Sequence, residues 1–227
     1  MKLIPTFVER AYFAMVQPLV HWFIRNRVHP NTITTIGALI VLVSAVLYGA
    51  GLIRLGGLLL LLSGAWDTLD GAVARAAGKA TKFGAFYDST LDRVADGATF
   101  MGIAYFLLVA PDVAWRVPMA LVCMVAIIAS LLVSYARARA EGLGLDCKVG
   151  LVQRAERIVG LGVPTLIFGA GPRAVLIEAI VAALAVGSVV TVIQRFAYVY
   201  RVTGFERLPD KAAEPEPVVP ASLAKGP

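Results

Sequence analysis

Apolar residues recur along this chain in runs too long for the core of a soluble domain. Six segments are predicted as helices that span a membrane: 33–53, 55–78, 83–110, 116–140, 153–171 and 174–198. Each is long enough to cross a ~30 Å hydrocarbon layer at ~1.5 Å per helical residue. The links between them are short and hold Gly, Pro or charge, as in GKATKFG, APDVAWRVP and GAGPR. Ahead of the spans, residues 3–27 read as an amphipathic helix on the membrane surface. Ile4, Val8, Tyr12, Met15, Leu19 and Phe23 fall on one stripe, and Glu9, Arg10, Gln17, His21 and Arg25 lie away from it. HPNTIT then opens the first span, with Asn31 or Thr32 as its N-cap. Polarity returns only from 205, where ERLPDKAAEPEPVVPASLAKGP has the composition of a disordered tail. The predicted fold is therefore an all-α polytopic membrane domain over 1–204, followed by a tail over 205–227.

Composition agrees with that pattern. Only 16% of residues are charged, against about 25% in a soluble domain. No cleavable signal peptide is expected, because Glu9, Arg10, Gln17, His21, Arg25 and Arg27 break up the first 29 residues. Cys123 and Cys147 have no second Cys or His at metal-ligand spacing and read as packing residues. Of the 21 Lys and Arg residues, only Arg54, Arg116 and Arg173 fall on one side of the predicted topology. The positive-inside rule then puts both termini in the cytoplasm of a multi-pass protein of the cell's inner membrane. The net charge of +6 fits that topology and an anionic substrate, and nucleic acid is not an expected partner.

One stretch departs from the apolar pattern. WDTLDGAVARAAGKATKFGAFYDSTLD carries Asp67, Asp70, Asp88 and Asp92, with Arg75 between the pairs. Spacings of three and four put each acidic pair on one helix face. An aspartate at the centre of a membrane helix costs about 2.5–3.5 kcal/mol, and four together repel one another. Divalent metal in a wet cavity resolves both problems. Oxygen-only ligation points to Mg²⁺, with Mn²⁺ also suited, and four carboxylates suit a pair of ions. Gly71, Ala74, Gly84 and Ala85 leave room for close packing and for a substrate, and Arg75 supplies a cation for an anionic group. A cation transporter would also bind ions on intramembrane acids, but its acids should be spread along a pathway. These four sit on two consecutive segments.

The stretch matches D-x2-D-G-x2-A-R-x8-G-x3-D-x3-D at every fixed position, with Asp67, Asp70, Gly71, Ala74, Arg75, Gly84, Asp88 and Asp92. In this the chain resembles the CDP-alcohol phosphotransferases. The resemblance implies that Asp67, Asp70 and Asp88 bind metal, and that Asp92 shares the site and acts as general base. It further implies that Asn31, Thr34, Gly71, Ala74, Arg75, Thr81 and Gly84 surround a CDP-diacylglycerol-type lipid. Homodimerisation is also expected from it. Asp96 continues the acidic stripe but lies outside the signature and reads as a supporting residue.

Arginines between and after the later segments bear on the acceptor. Arg137 and Arg139 end the fourth segment, Arg154 and Arg157 open the fifth, and Arg195 lies near the end of the sixth. Such a cluster suits an acceptor carrying a phosphate, since the guanidinium fork matches phosphate oxygens. The string SYARARAE followed by RAER resembles the prokaryotic phosphatidylinositol-phosphate and archaetidylinositol-phosphate synthases. By that resemblance Arg137, Arg139, Arg154 and Arg195 hold the phosphate of inositol 1-phosphate. Glycerol 3-phosphate is the alternative acceptor.

Overall fold

The computed structural model describes residues 17–204, except 112. Every regular element among them is helical: α1 Pro30–Gly49, α2 Ile53–Ala76, α3 Lys82–Val109, α4 Arg116–Glu141, α5 Arg154–Phe168 and α6 Val175–Thr203. A short 3₁₀ turn, Pro172–Ala174, precedes α6. Residues 17–25 are also helical. There Val20 and Phe23 pack inward on Ile33, Leu69 and Val73, while Leu19 and Trp22 face outward. The helix ends at Arg25, with Asn26 and Arg27 in a turn; residues 3–16 of the predicted surface helix and the predicted tail lie outside the described residues.

The six predicted segments match six helices, with ends displaced by a few residues. Four stretches are long and apolar enough to cross a membrane: α1, α2, α4 and Pro172–Thr203. The other two fall short for different reasons. Helix α5 has 15 residues, about 22 Å of rise, and α3 carries Lys82, Asp88, Asp92, Arg93 and Asp96 between its start and its middle. The outer surface is apolar, with Leu39, Val46, Val117, Ile128, Val186 and Ile193 all exposed, as a surface meeting lipid requires.

Helix α1 packs on both α2 and α3; α2 packs on α5, α5 on α6, α6 on α4 and α4 on α3. The six helices thus close a ring. Helices α2 and α3, which carry the four signature aspartates, are held apart by α1 rather than packed on each other. The separation leaves space between their acidic faces.

With lipid outside, helix association depends on close backbone approach and interhelical hydrogen bonds. Small residues supply the first. A Cβ at Gly102 would collide with the Ala45 carbonyl where α3 crosses α1, and one at Gly57 would sit 2.9 Å from the Gly162 carbonyl oxygen where α2 crosses α5. Hydroxyls supply the second. Ser44 Oγ donates to the Gly56 carbonyl (2.7 Å), and the Tyr48 and Thr165 hydroxyls pair at 2.8 Å. Tyr48 and Thr165 are both fully buried.

The local ends of the site helices follow from sequence, with one correction. The N-cap of α1 is His29, whose Nδ1 accepts the Asn31 backbone N–H (3.2 Å), and Pro30 takes the first helical position. Asn31 and Thr32 are inside the helix, because proline at N1 costs no hydrogen bond and its fixed φ starts the helix one step earlier. At the α2–α3 turn, Gly78 adopts φ +64°, which only glycine takes without strain. Thr81 Oγ1 then accepts the Gly84 N–H (2.9 Å) to cap α3.

Gly102→Val should lower stability in detergent by about 1–3 kcal/mol, the usual cost of overpacking, read as a lower thermal midpoint. Gly97→Ala is the control, since a Cβ there meets nothing within 4 Å; its midpoint should hold or rise.

Candidate active site

Two cavities open where the acidic faces of α2 and α3 look toward each other. The smaller, about 210 Å³, is walled by Asn31 and Thr34 of α1, by Asp70, Gly71, Ala74 and Arg75 of α2, by Thr81 at the head of α3, and by Gly84 and Asp88. All seven residues assigned to the CDP-linked lipid therefore come together around one space. Its glycines have steric reasons. A Cβ at Gly71 would stand 3.2 Å from Arg75 Nη1, and one at Gly84 would stand 3.1 Å from Thr81 Oγ1 and 3.3 Å from Asn31 Oδ1. Either side chain would crowd the polar groups that face the cavity. Thr34 Oγ1 donates to Asp70 Oδ2 (2.6 Å), which fixes the one signature carboxylate that is fully buried. Asn31 is free for the cavity because His29 does the capping.

The larger cavity, about 710 Å³, is bounded by Asp88, Asp92 and Arg93 of α3, by Val133, Arg137 and Glu141 of α4, by Arg154 and Arg157 of α5, and by Arg195 of α6. Asp88 belongs to both walls. The acid–arginine arrangement is thus split between two chambers that meet at one carboxylate.

Asp67 and Asp88 lie within electrostatic range of each other and of both Asp70 and Asp92. Among the described residues, however, no three acidic, His or Cys side chains are gathered tightly enough to close around an ion. Arg154 stands between two of them. Its Nη1 donates to Asp67 Oδ2, and its Nη2 lies 3.0 Å from Asp92 Oδ1, so a guanidinium bridges α2 and α3. The donor set itself, carboxylates alone, is that of a hard divalent cation. The residues fit such an ion at the place where the fold already gathers positive charge.

The predicted phosphate-binding arginines divide. Arg137, Arg154 and Arg195 line the larger cavity; Arg139 is exposed and lies outside it. Two residues on from Arg137 is ~200° around the helix, so both cannot face the same chamber. Arg137 Nε donates to Glu141 Oε1 (2.8 Å), one turn away. Arg195 is 2% exposed and also serves the fold. Its Nε donates to the Val149 carbonyl (2.9 Å) and its Nη1 to that of Val133, tying the 142–153 connection to α4 and α6. Thr191 and Gln194 add to that tie by accepting the Val152 and Leu151 N–H groups (2.9 and 3.0 Å).

Two further residues outside the predicted site set bear on this chamber, one on its wall and one behind it. Arg157 lines the larger cavity at 4% exposure, and Asp96 receives its Nη2. The R-x-x-R spacing of Arg154 and Arg157, which puts both on one face of a helix, is the sequence signal for the first.

The CDP-alcohol phosphatidyltransferase family model matches residues 27–200, a span that holds both cavities. A phosphatidylinositol phosphate synthase of Corynebacterium glutamicum is 40% identical over 193 residues, covering 80% of this chain and 82% of that protein. An archaetidylinositol phosphate synthase of Methanothermobacter thermautotrophicus is 37% identical over 199 residues, covering 86% and 97%. The crystal structure of the Mycobacterium tuberculosis phosphatidylinositol phosphate synthase with CDP-DAG bound superposes with a TM-score of 0.76 at 30% identity, over 86% of this chain and 99% of that one. The same enzyme in complex with manganese and citrate gives a TM-score of 0.75 at 31% identity, over 86% and 93%. These matches favour a transferase over the ion-transport alternative: the chain belongs to the CDP-alcohol phosphatidyltransferase family and is a membrane-embedded transferase of phospholipid synthesis.

Proposed function

We propose that this enzyme transfers a phosphatidyl-type group from CDP-diacylglycerol, or its ether counterpart CDP-archaeol, to myo-inositol 1-phosphate, giving a phosphatidylinositol phosphate and CMP. The observation that carries the reading is the meeting of the two cavities at Asp88, one walled by the signature and the other by arginines. A donor in the first and a phosphorylated alcohol in the second would present the hydroxyl to the lipid-side phosphorus across one carboxylate. The names of the C. glutamicum and M. thermautotrophicus relatives support inositol phosphate as acceptor. The CDP-DAG-bound mycobacterial structure supports the donor.

In this reading Gly71 and Gly84 keep the smaller cavity open for the nucleotide, with Arg75 and Asn31 facing it. Asp92, on the wall of the larger cavity, takes the proton of the acceptor hydroxyl. The new bond joins the acceptor oxygen to the lipid-side phosphorus, the bond from that phosphorus to CMP breaks, and CMP leaves with the electron pair. Arg137, Arg154 and Arg195 hold the acceptor's phosphate. Asp67, Asp70, Asp88 and Asp92 would hold divalent metal, Mg²⁺ or Mn²⁺ and two ions by the number of carboxylates, which neutralises the pyrophosphate. The manganese complex of the mycobacterial enzyme supports this choice.

The proposal includes six spans in the inner membrane, with α3 and α5 completing the four apolar ones. Both termini and the site face the cytoplasm, the catalytic domain is 1–204 with a tail over 205–227, and the functional unit is a homodimer. Charge supports the orientation, since among the described basic residues only Arg54, Arg116 and Arg173 lie at the helix ends away from the cavities.

Purified enzyme given CDP-diacylglycerol and a panel of inositol 1-phosphate, inositol, glycerol 3-phosphate and serine should yield phosphatidylinositol phosphate by mass spectrometry. Turnover with glycerol 3-phosphate and none with inositol 1-phosphate would overturn the acceptor assignment. Asp92→Asn should lower kcat by on the order of 10²–10⁴-fold, the range for a lost general base. CDP-lipid binding should survive, because Asp92 is not on the wall of the smaller cavity. Binding lost in parallel would mean that Asp92 acts through metal ligation and not as the base.

A further inference from the structure

Asp96 touches neither cavity, yet it sits directly behind the two arginines of α5. Its Oδ2 receives Arg157 Nη2, and its Oδ1 lies 3.9 Å from Arg154 Nε. Each carboxylate oxygen thus faces a different guanidinium. We propose that Asp96 is a positioning residue that holds Arg154 and Arg157 side by side as a two-arginine receptor for the acceptor's phosphate. The proposal rests on the phosphorylated-acceptor reading above and deepens it.

Three features of the α5 start support it. First, Arg154 is the opening residue of α5 and Arg157 lies three further on, so both cations stand on one face at the positive end of a helix dipole. Left alone they would repel each other and the helix end. Second, the local acid does not relieve them. Glu156 Oε2 accepts the Gln153 N–H (3.1 Å) and completes a capping box. Asp67 and Asp92 engage the two terminal nitrogens of Arg154. Among the described residues, Asp96 is the carboxylate that Arg157 reaches. Asp96 is therefore the carboxylate shared by both arginines, and the wall they belong to carries Arg93, Arg137, Arg154, Arg157 and Arg195 against Asp88, Asp92, Glu141 and Glu156.

Third, donors remain without acceptors. Arg157 Nε and Nη1 and Arg154 Nε are buried and have no hydrogen-bond partner among the described residues. Arg157 as a whole is 4% exposed, and both side chains line the larger cavity. Buried donors are rarely left unsatisfied in a native interior. A phosphate monoester carries three oxygens that accept from guanidinium forks, and it also supplies the negative charge that the wall needs. Arg157 thereby joins the acceptor's surroundings, and Asp96 acts through it.

The test measures acceptor and donor kinetics of the full chain in detergent with CDP-diacylglycerol, for wild type, Asp96→Asn, Asp96→Glu and Arg157→Lys. Asp96→Asn should raise the KM for inositol 1-phosphate about tenfold, as loss of an interaction with a charged group does, and weaken competition by inorganic phosphate to a similar degree. The CDP-lipid KM should stay within about twofold, because its binding residues are elsewhere. Asp96→Glu should recover most of the loss. If Asp96→Asn does not accumulate, Arg157→Lys, which keeps the charge and loses the fork, should give the same split. An unchanged or lower acceptor KM overturns the proposal, as does a uniform fall in kcat and both affinities with a lower thermal midpoint. Wild-type use of another phosphorylated alcohol would sink the inositol assignment alone, and the same ratios would then be read with that alcohol. Wild-type use of an unphosphorylated acceptor would overturn both.

Discussion

Carboxylates enclosed by an apolar ring of helices must be matched by cations, and the inner face of this fold is arranged around that requirement. Asp67, Asp70, Asp88, Asp92 and Asp96 stand on α2 and α3, Asp70 buried and the others half-buried, where an isolated charge is costly. The fold answers from the opposite side of the ring. Arg154 and Arg157 enter on α5 and reach Asp67, Asp92 and Asp96. The acids on α2 and α3 are thus joined through a third helix. Short α5 is suited to this, since its start lies inside the ring where its arginines are needed.

The same constraint divides the interior into two chambers. Because α2 and α3 pack on α1 and not on each other, space remains on both sides of Asp88. On one side small residues and hydroxyls leave a narrow cleft suited to a nucleotide. On the other, cations from α4, α5 and α6 wall a wider chamber suited to an anionic alcohol. The ring closes tightly where α1, α2 and α5 cross at Gly56, Gly57, Gly162 and Thr165, well along the helices from the charged end. A tightly packed apolar end and a polar end that opens on two cavities follow from how the small and charged residues are spaced.

Much of this was legible in the sequence, because hydropathy and spacing act locally. The six helical segments, both acidic pairs and the glycines and Arg75 of the smaller cavity follow from runs, intervals and a fixed signature, while Asn31, Thr34 and Thr81 came only with the family resemblance. What escaped depends on three-dimensional arrangement. The His29 cap displaced Asn31 because a proline at N1 outweighed the usual cap preference. Arg139 looked equivalent to Arg137 until helix rotation separated them. Arg195 was read only for its charge, whereas two backbone carbonyls also claim it. The bridge from Arg154 to two helices, and the place of Asp96 behind two arginines, could not be seen without the ring. Contacts between residues 61 and 87 positions apart leave no periodic trace.

The central claim is that these buried acids are gathered to work with divalent cations on a CDP-linked lipid. The most direct measurement is CMP release from CDP-diacylglycerol and inositol 1-phosphate by chelator-treated enzyme, before and after adding Mg²⁺ or Mn²⁺. The account predicts no release after chelation, recovery with either ion, and no recovery in Asp88→Asn, whose carboxylate borders both chambers. Undiminished CMP release in the presence of excess chelator would contradict it.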